Sequence, residues 1–250
     1  MIEIKQLTKN YGSFEALKGI SLEIGRGEIF GFLGVNGAGK TTTIKIMAGL
    51  LKPSSGTVKI CGYDIQREPE AAKAVTGYIP DRPYMYNKLT GREFLKFMGE
   101  LYKVNGKELE ERVSRLLEEF SLTEWQNELI EGYSHGMKQR LATCSALIHH
   151  PKVLIVDEPM VGLDPRGARL LKDSFREYAK GGMTIFLSTH TLNVAEEVAD
   201  RLAIIQGGEI IASGTLSEIR EKAGSNNTGL EKLFLQLTQF HDEAYDGAVL

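Results

Sequence analysis

An α/β fold with a mostly parallel sheet, an antiparallel β subdomain at the N-terminus and an inserted helical subdomain is predicted by three observations. Gly34-Val-Asn-Gly-Ala-Gly-Lys40-Thr41 matches G-x-x-x-x-G-K-[ST] and lies between a short apolar run, residues 29–33, and a segment of helical periodicity. Val153-Leu-Ile-Val156 is a continuous apolar run, as expected of a strand covered on both faces, and strand and helix patterns alternate after it. Between these two stretches, residues 83–150 change to helical spacing.

The elements follow in order. Ile2/Ile4 and then Leu17/Ile20/Leu22/Ile24 read as strands, broken at Tyr11-Gly12 and Gly25-Arg-Gly27. The strand–glycine turn–helix context makes 34–42 a phosphate-binding loop, and the chain a P-loop NTPase core. Backbone N–H groups from Gly34 through Asn36, Gly37, Ala38, Gly39, Lys40, Thr41 and Thr42 point into one concavity at a helix N-terminus. Gly34, Gly37 and Gly39 are expected to supply positive φ and close backbone approach. Ile44, Met47, Leu50 and Leu51 are expected to share one side of the helix, with Pro53 ending it. Residues 57–60 and 75–80 read as further strands.

In the insertion, Thr90-Gly-Arg-Glu93 is a capping box. Phe94, Phe97, Met98, Leu101 and Tyr102 then fall at helical spacing, as do Leu109, Val113, Leu116, Leu117 and Phe120. After Val153–Val156 come a helix bearing Leu171, Phe175 and Tyr178, a strand at 184–188, a helix near 192–200 and a strand at 201–205. A hairpin turn at Gln206-Gly-Gly-Glu209 follows. The domain reading is a core at 1–215 and a C-terminal extension at 216–250, with two short helices around Gly224–Gly229 and a loose end over the last ten residues.

Composition narrows the classes. The 250 residues carry a net charge of −3, with no basic excess to suggest nucleic acid. Cys61 and Cys144 make no metal spacing, which favours a reducing, cytosolic setting. No run approaches the ~18 apolar residues of a membrane span.

The chemistry concentrates at two places. Lys40 is placed to reach β- and γ-phosphates, and the Thr41 hydroxyl to ligate Mg²⁺. Asp157-Glu158 ends the buried strand on the side where the phosphate loop opens, so Asp157 is the partner for Mg²⁺ and Glu158 the base for an attacking water. A solvated acid pair ending a strand is the plainer alternative.

Beyond these motifs, Tyr133-Ser134-His135-Gly136-Met137, Gly162-Leu-Asp164-Pro165 and Leu187-Ser-Thr-His190 occur in that order. The chain therefore resembles the ATP-binding subunit of an ATP-binding cassette (ABC) transporter over about residues 1–215. The resemblance implies an ATPase that dimerises around ATP and Mg²⁺, as a homodimer or with a second ABC subunit. On the same resemblance it would power a transmembrane permease from the cytoplasmic face of the cell membrane. Ser134 and Gly136 would hold the γ-phosphate bound by the partner subunit's phosphate loop, Asp164 would shape the dimer contact, and His190 would sense the γ-phosphate. Tyr11 stands where an aromatic stacks on adenine, although it reads equally well as a packing residue. The Tyr-Ser-x-Gly-Met pattern resembles an exporter branch. The segment around Tyr84-Met85-Tyr86 would receive the permease, whereas Phe94 and Phe97 read as the insertion's own core.

Three positions depart from the family pattern. Asp81 replaces a glutamine, shortening a possible reach toward Mg²⁺ by one methylene. His135 replaces the first signature glycine; its side chain is expected to point away while Gly136 makes the close approach. Val35 stands where proline is frequent. His149, His150 and His241 read as surface residues. Two other classes share parts of this pattern: a cassette ATPase acting on ribosomes or DNA, and a weakly hydrolysing regulatory module. The first is opposed by the single cassette without a long coil between Lys40 and Ser134; the second by intact Lys40, Thr41, Asp157, Glu158 and His190. Asn87-Lys-Leu-Thr90 lacks the acid of a guanine-reading motif.

Overall fold

The computed structural model describes residues 1–222 and 229–246, the side chains of residues 222 and 239–246 excepted. Two sheets form. β1 (Ile2–Tyr11), β2 (Phe14–Ile24), β4 (Ser55–Ile60) and β5 (Tyr63–Asp64) make an antiparallel sheet in the order β2-β1-β4-β5. β3 (Ile29–Leu33), β6 (Thr76–Ile79), β7 (Val153–Asp157), β8 (Thr184–Thr189), β9 (Arg201–Gln206) and β10 (Glu209–Gly214) make the second, ordered β10-β9-β3-β8-β7-β6. All its pairings are parallel except β9–β10. That hairpin turns through Gly207 (φ 53°) and Gly208 (φ 83°), the left-handed pair a tight two-residue turn requires.

β3, β7 and β8 are buried at every residue, which explains their unbroken apolar runs. Phe30, Phe32 and Phe186 stack between β3 and β8. α6 (Pro165–Lys180) covers one face with Leu171 and Phe175, and α1 (Lys40–Met47) covers the other with Ile44 and Met47. α7 (Leu192–Val198), α8 (Leu216–Lys222) and α9 (Leu230–Asp246) cover the β9–β10 side, where Leu230, Leu233 and Phe234 join Leu33, Leu202 and Ile204 in one cluster.

The insertion contains α3 (Gly91–Leu101), α4 (Gly106–Glu119) and α5 (His135–Leu147). The capping box forms as expected: Glu93 N donates to Thr90 Oγ1 at 3.2 Å, and Thr90 N donates to Glu93 Oε2 at 2.8 Å. Leu109, Val113, Leu116, Leu117 and Phe120 are all buried.

Several expectations are corrected. α1 stops at Met47, because Gly49 takes φ 68° and its N–H turns back onto Ile46 O. Leu50 and Leu51 lie beyond the helix, and Leu50 is exposed. A short helix, α2 (Pro69–Ala74), was not anticipated; proline at its first position starts it. α3 is rotated relative to the apolar positions read from the sequence. Leu95 and Gly99 face inward with Phe94, while Phe97 is 38% and Leu101 61% exposed. Gly99 allows this, since a Cβ there would strike Leu109 Cδ1. Met85 is buried, unlike its neighbours Tyr84 and Tyr86. His149 is half-buried: its ring stacks on Tyr102 at 3.7 Å and its Nε2 bonds Thr76 O at 3.1 Å, whereas His150 is exposed as expected. The side chain of His241 lies outside the described residues. α9 has 17 residues rather than being short, and it runs through 241–246, expected to be loose. Residues 223–228 and 247–250, covering most of the expected linker and end, are outside the described residues.

Candidate nucleotide site

β3, β8 and β7 are consecutive neighbours, and each ends in a residue singled out by the sequence. The phosphate loop leaves β3, His190 follows β8, and Asp157-Glu158 ends β7. With β8 between them, β3 and β7 are roughly 10 Å apart, enough for a phosphate chain to lie across the carboxyl edge. Tyr11, Asn36, Gly37, Gly39, Lys40, Thr41, Thr42, Asp81, Asp157, Glu158 and His190 line one cleft of about 890 Å³ there.

The loop glycines do different jobs. Gly37 (φ 85°) and Gly39 (φ 114°) hold left-handed backbone. Gly34 does not; it is required because a Cβ would strike Ile205 O. The β9–β10 turn supports the loop, since Gly208 N donates to Ala38 O at 3.1 Å. Gly34 and Ala38 are buried and, unlike Asn36, Gly37 and Gly39, do not line the cleft. Lys40 is buried, and its Nζ donates to Gly34 O at 2.6 Å and Val35 O at 3.2 Å. Burial lowers its pKa, against the opposing pull of Glu158 and Asp157.

Asp157 is buried, and burial raises its pKa, opposed by Ser188 Oγ, which donates to Asp157 Oδ1 at 2.5 Å. Ser188 was missed as a site residue: its role depends on the Asp157–Ser188 pairing in the β7–β8 ladder, which only register reveals. Glu158 adopts φ 49°, rare for a side-chain-bearing residue, and its N–H donates to Ser188 O at 3.1 Å. This strained turn aims the carboxylate across β8, where Oε1 meets His190 Nδ1 at 2.8 Å. Burial, with Asp157 and Asp81 nearby, pushes Tyr78 up to about 12. Phe14, Lys45, Tyr78 and Arg82 also line the cleft. Tyr11 is 48% exposed at the β1–β2 hairpin tip beside Phe14, so it is not a packing aromatic. Asp81 pairs loosely with Arg82 at 3.9 Å.

Ser134, Gly136 and Asp164 do not line this cleft. Ser134 caps α5, accepting from Met137 N at 3.2 Å, and Asp164 caps α6, accepting from Gly167 N at 2.7 Å. His135, expected to point away, lines the cleft together with Val161. Its Nε2 bonds Val161 O at 3.1 Å, and its ring rests on Gly162.

A glycine loop shaped for phosphate after β3, a lysine at its end and two acids ending β7, two strands away, define a nucleotide-binding ATPase. The family model described as ABC transporter matches residues 17–161, more than half of the chain. The ABC transporter ATP-binding protein YxlF of Bacillus subtilis (strain 168) is 41% identical over 226 residues, covering 90% of this chain and 75% of that protein. The daunorubicin resistance ATP-binding protein DrrA3 of Streptomyces coeruleorubidus is 36% identical over 225 residues, covering 90% and 71%. Among solved structures, an ATP-binding subunit of an ABC transporter superposes with a TM-score of 0.90 at 36% identity, covering 95% of this chain and 99% of that one. A dimeric ATP-binding cassette in a post-hydrolysis state with ADP and phosphate superposes at 0.76 with 26% identity, covering 86% and 99%. The chain belongs to the ABC transporter family as an ATP-binding subunit, an ATPase whose hydrolysis of ATP serves transport within a transporter complex. Among the described residues no helix is long and apolar enough to cross a membrane.

Proposed function

We propose that the chain binds ATP with Mg²⁺ in the cleft at the ends of β3, β8 and β7, and closes on a second ATPase subunit around two ATP molecules. That closure drives a membrane-spanning permease from the cytoplasmic face of the cell membrane, in the direction of export. The observation that carries the reading is the convergence of Lys40 at the start of α1, Asp157 and Glu158 at the end of β7 and His190 after β8 on one cleft. A relative named for daunorubicin resistance supports export. The second subunit is another copy of this chain or a different ABC ATPase; nucleic acid has no part in the cycle.

Each residue then has a role. Backbone N–H groups of Gly34, Asn36, Gly37, Ala38, Gly39 and Thr42 cradle phosphate oxygens at the start of α1, and Lys40 turns from its loop carbonyls to the β- and γ-phosphates. Tyr11 stacks on adenine. Ser134 and Gly136 of the opposing subunit close over the γ-phosphate at a helix N-terminus, and Asp164 shapes the contact. Thr41 and Asp157, with Asp81 from the facing loop, are hard oxygen donors suited to Mg²⁺. No cluster of three or more His, Cys, Asp or Glu able to hold a metal occurs among the described residues. Mg²⁺ is commonly held by one or two carboxylates together with substrate phosphates. Bound there, Mg²⁺ would neutralise charge developing on the phosphate oxygens. Glu158 accepts the proton of the attacking water as its oxygen bonds the γ-phosphorus and the P–O bond to ADP breaks. His190 keeps the Glu158 carboxylate oriented and contacts the γ-phosphate.

Replacing Glu158 by Gln keeps the side-chain shape and removes the base. ATP turnover is expected to fall about 10²–10⁴-fold while an ATP-dependent dimer accumulates, read by light scattering. Wild-type turnover in that variant would remove Glu158 from the role.

A further inference from the structure

His135 makes a contact that no glycine at its position could make. Its Nε2 lies 3.1 Å from Val161 O. A carbonyl only accepts, so this nitrogen carries the proton. The ring covers Gly162, where a Cβ would sit 2.5 Å from His135 Cδ2 and 2.9 Å from Nε2. Gly162 also has φ 75°, so two independent constraints require glycine there. The next α5 residue, Gly136, faces Leu163, whose Cδ2 would lie 3.4 Å from a Cβ. The start of α5 therefore grips three successive residues, Val161, Gly162 and Leu163.

Those residues belong to the loop joining Glu158 to α6. One end is fixed where Glu158 N donates to Ser188 O at 3.1 Å, and the other where Asp164 caps α6 at 2.7 Å. Between them run two long turn hydrogen bonds, Val161 N to Glu158 O and Leu163 N to Met160 O, each 3.3 Å. Val161 is the shared link: its N–H holds the carbonyl of Glu158, and its own carbonyl is held by His135. Displacing Val161 therefore acts directly on the strained φ 49° turn that aims the Glu158 carboxylate.

We propose that His135 is a positioning residue: by clamping Val161 and Gly162 it fixes the turn at Glu158, tying the start of α5 to the hydrolytic base of the same chain. The proposal rests on Glu158 being that base. His135 and Val161 stand on the wall of the same cleft as Lys40 and the phosphate loop, but the clamp's backbone link runs to Glu158, so its effect is expected in hydrolysis rather than in nucleotide capture.

The test measures steady-state ATP turnover of the full chain and of four variants, H135A, H135Q, G162A and E158Q. H135A is expected to lower kcat roughly tenfold to a hundredfold, the cost of a misplaced catalytic group, with KM for ATP within about twofold. H135Q, whose amide N–H can reach the same carbonyl, is expected to recover most of that loss. The turnover defect of G162A should shrink when combined with H135A, which vacates the space its Cβ needs. In an E158Q background, H135A should leave the ATP-dependent dimer intact. Wild-type kcat in H135A with a dead E158Q would overturn the proposal alone, as would failure of H135Q to recover. Loss of the ATP-dependent dimer in H135A/E158Q would overturn it too, by placing His135 in nucleotide capture. An active E158Q would instead remove the reading beneath it.

Discussion

Asp157 and Glu158 leave a strand buried at every residue, next to another strand buried at every residue, whereas Tyr84 and Tyr86 stand on the segment leading into the insertion with Tyr84 84% exposed. The two regions hold their side chains by different means. At the sheet edge, ladder register decides everything: Asp157 pairs with Ser188, which bonds its carboxylate, and Ser188 O takes the N–H of Glu158. In the insertion Leu109, Val113, Leu117 and Phe120 pack between the helices, in a cluster continuous with Leu154 and Val156 of β7 and Leu171 and Phe175 of α6, and Tyr84, Tyr86 and Phe97 face outward. A site built on buried strands suits chemistry needing sub-ångström placement. A helical unit that shares the sheet's core and carries exposed aromatics suits contact with a partner.

The comparison predicts that chemistry and stability separate. The largest effect belongs to the sheet edge. Glu158→Gln should cost about 10²–10⁴-fold in turnover while leaving the melting temperature nearly unchanged, since the substitution is isosteric and an amide oxygen still faces His190 Nδ1. A large fall in melting temperature would mean that the sheet edge is not the rigid platform described.

The next effect lies at the seam. His149 follows α5, stacks on Tyr102 from the end of α3 and bonds Thr76 O at the start of β6, so it joins the insertion to the sheet. Burial, opposed by the Thr76 hydrogen bond, lowers its pKa to about 4. The neutral ring is thus favoured by folding. As pH falls below the unfolded value of about 6.5 the unfolded chain takes up the proton first, and stability drops until pH reaches about 4. The loss is at most about 3 kcal/mol. Denaturant unfolding between pH 7 and pH 4 should show this slope, and His149→Phe, which keeps the stacking, should flatten it. Equal slopes would take His149 out of the seam. Within the insertion, Thr90→Ala should remove a cap worth ~1 kcal/mol, lowering the melting temperature by about 2–4 °C with ATP binding unchanged. A change in ATP affinity would break the separation.

How much was legible in the sequence follows the same division. The phosphate loop, Asp157-Glu158 and the capping box could be read because each is local: a turn, a strand end and a first helical turn specified by neighbouring residues. The roles of Ser188 and Gly34 could not, since they depend on strands paired across the chain, β8 for Asp157 and β9 beside the loop. The rotation of α3 was hidden because Phe97 and Leu101 fit an apolar stripe as well as Leu95 and Gly99 do. Space against Leu109 decided between them. His149 looked like a surface residue until Tyr102 was brought against it from 47 positions earlier in the chain.

The smallest effect on the chain itself, and the sharpest test of the division, lies in the exposed aromatics. Tyr84 and Tyr86 meet edge to face at 6.1 Å, and Tyr86 meets Phe97 at 5.5 Å, forming a small aromatic surface outside the insertion's core. Tyr84→Ala/Tyr86→Ala should change stability by less than about 0.5 kcal/mol per site, as expected of exposed residues, and leave ATP binding and basal turnover intact. Purification of the tagged chain from native membranes in mild detergent should recover one polytopic membrane protein, and the double variant should lose it. Stimulation of turnover by that partner should vanish with it. Retention of the partner and of stimulated turnover would mean that transmission runs through another face of the insertion. A fall in basal turnover would mean that the aromatic surface supports the cleft directly, since Pro83 alone separates Tyr84 from Arg82 on the cleft wall.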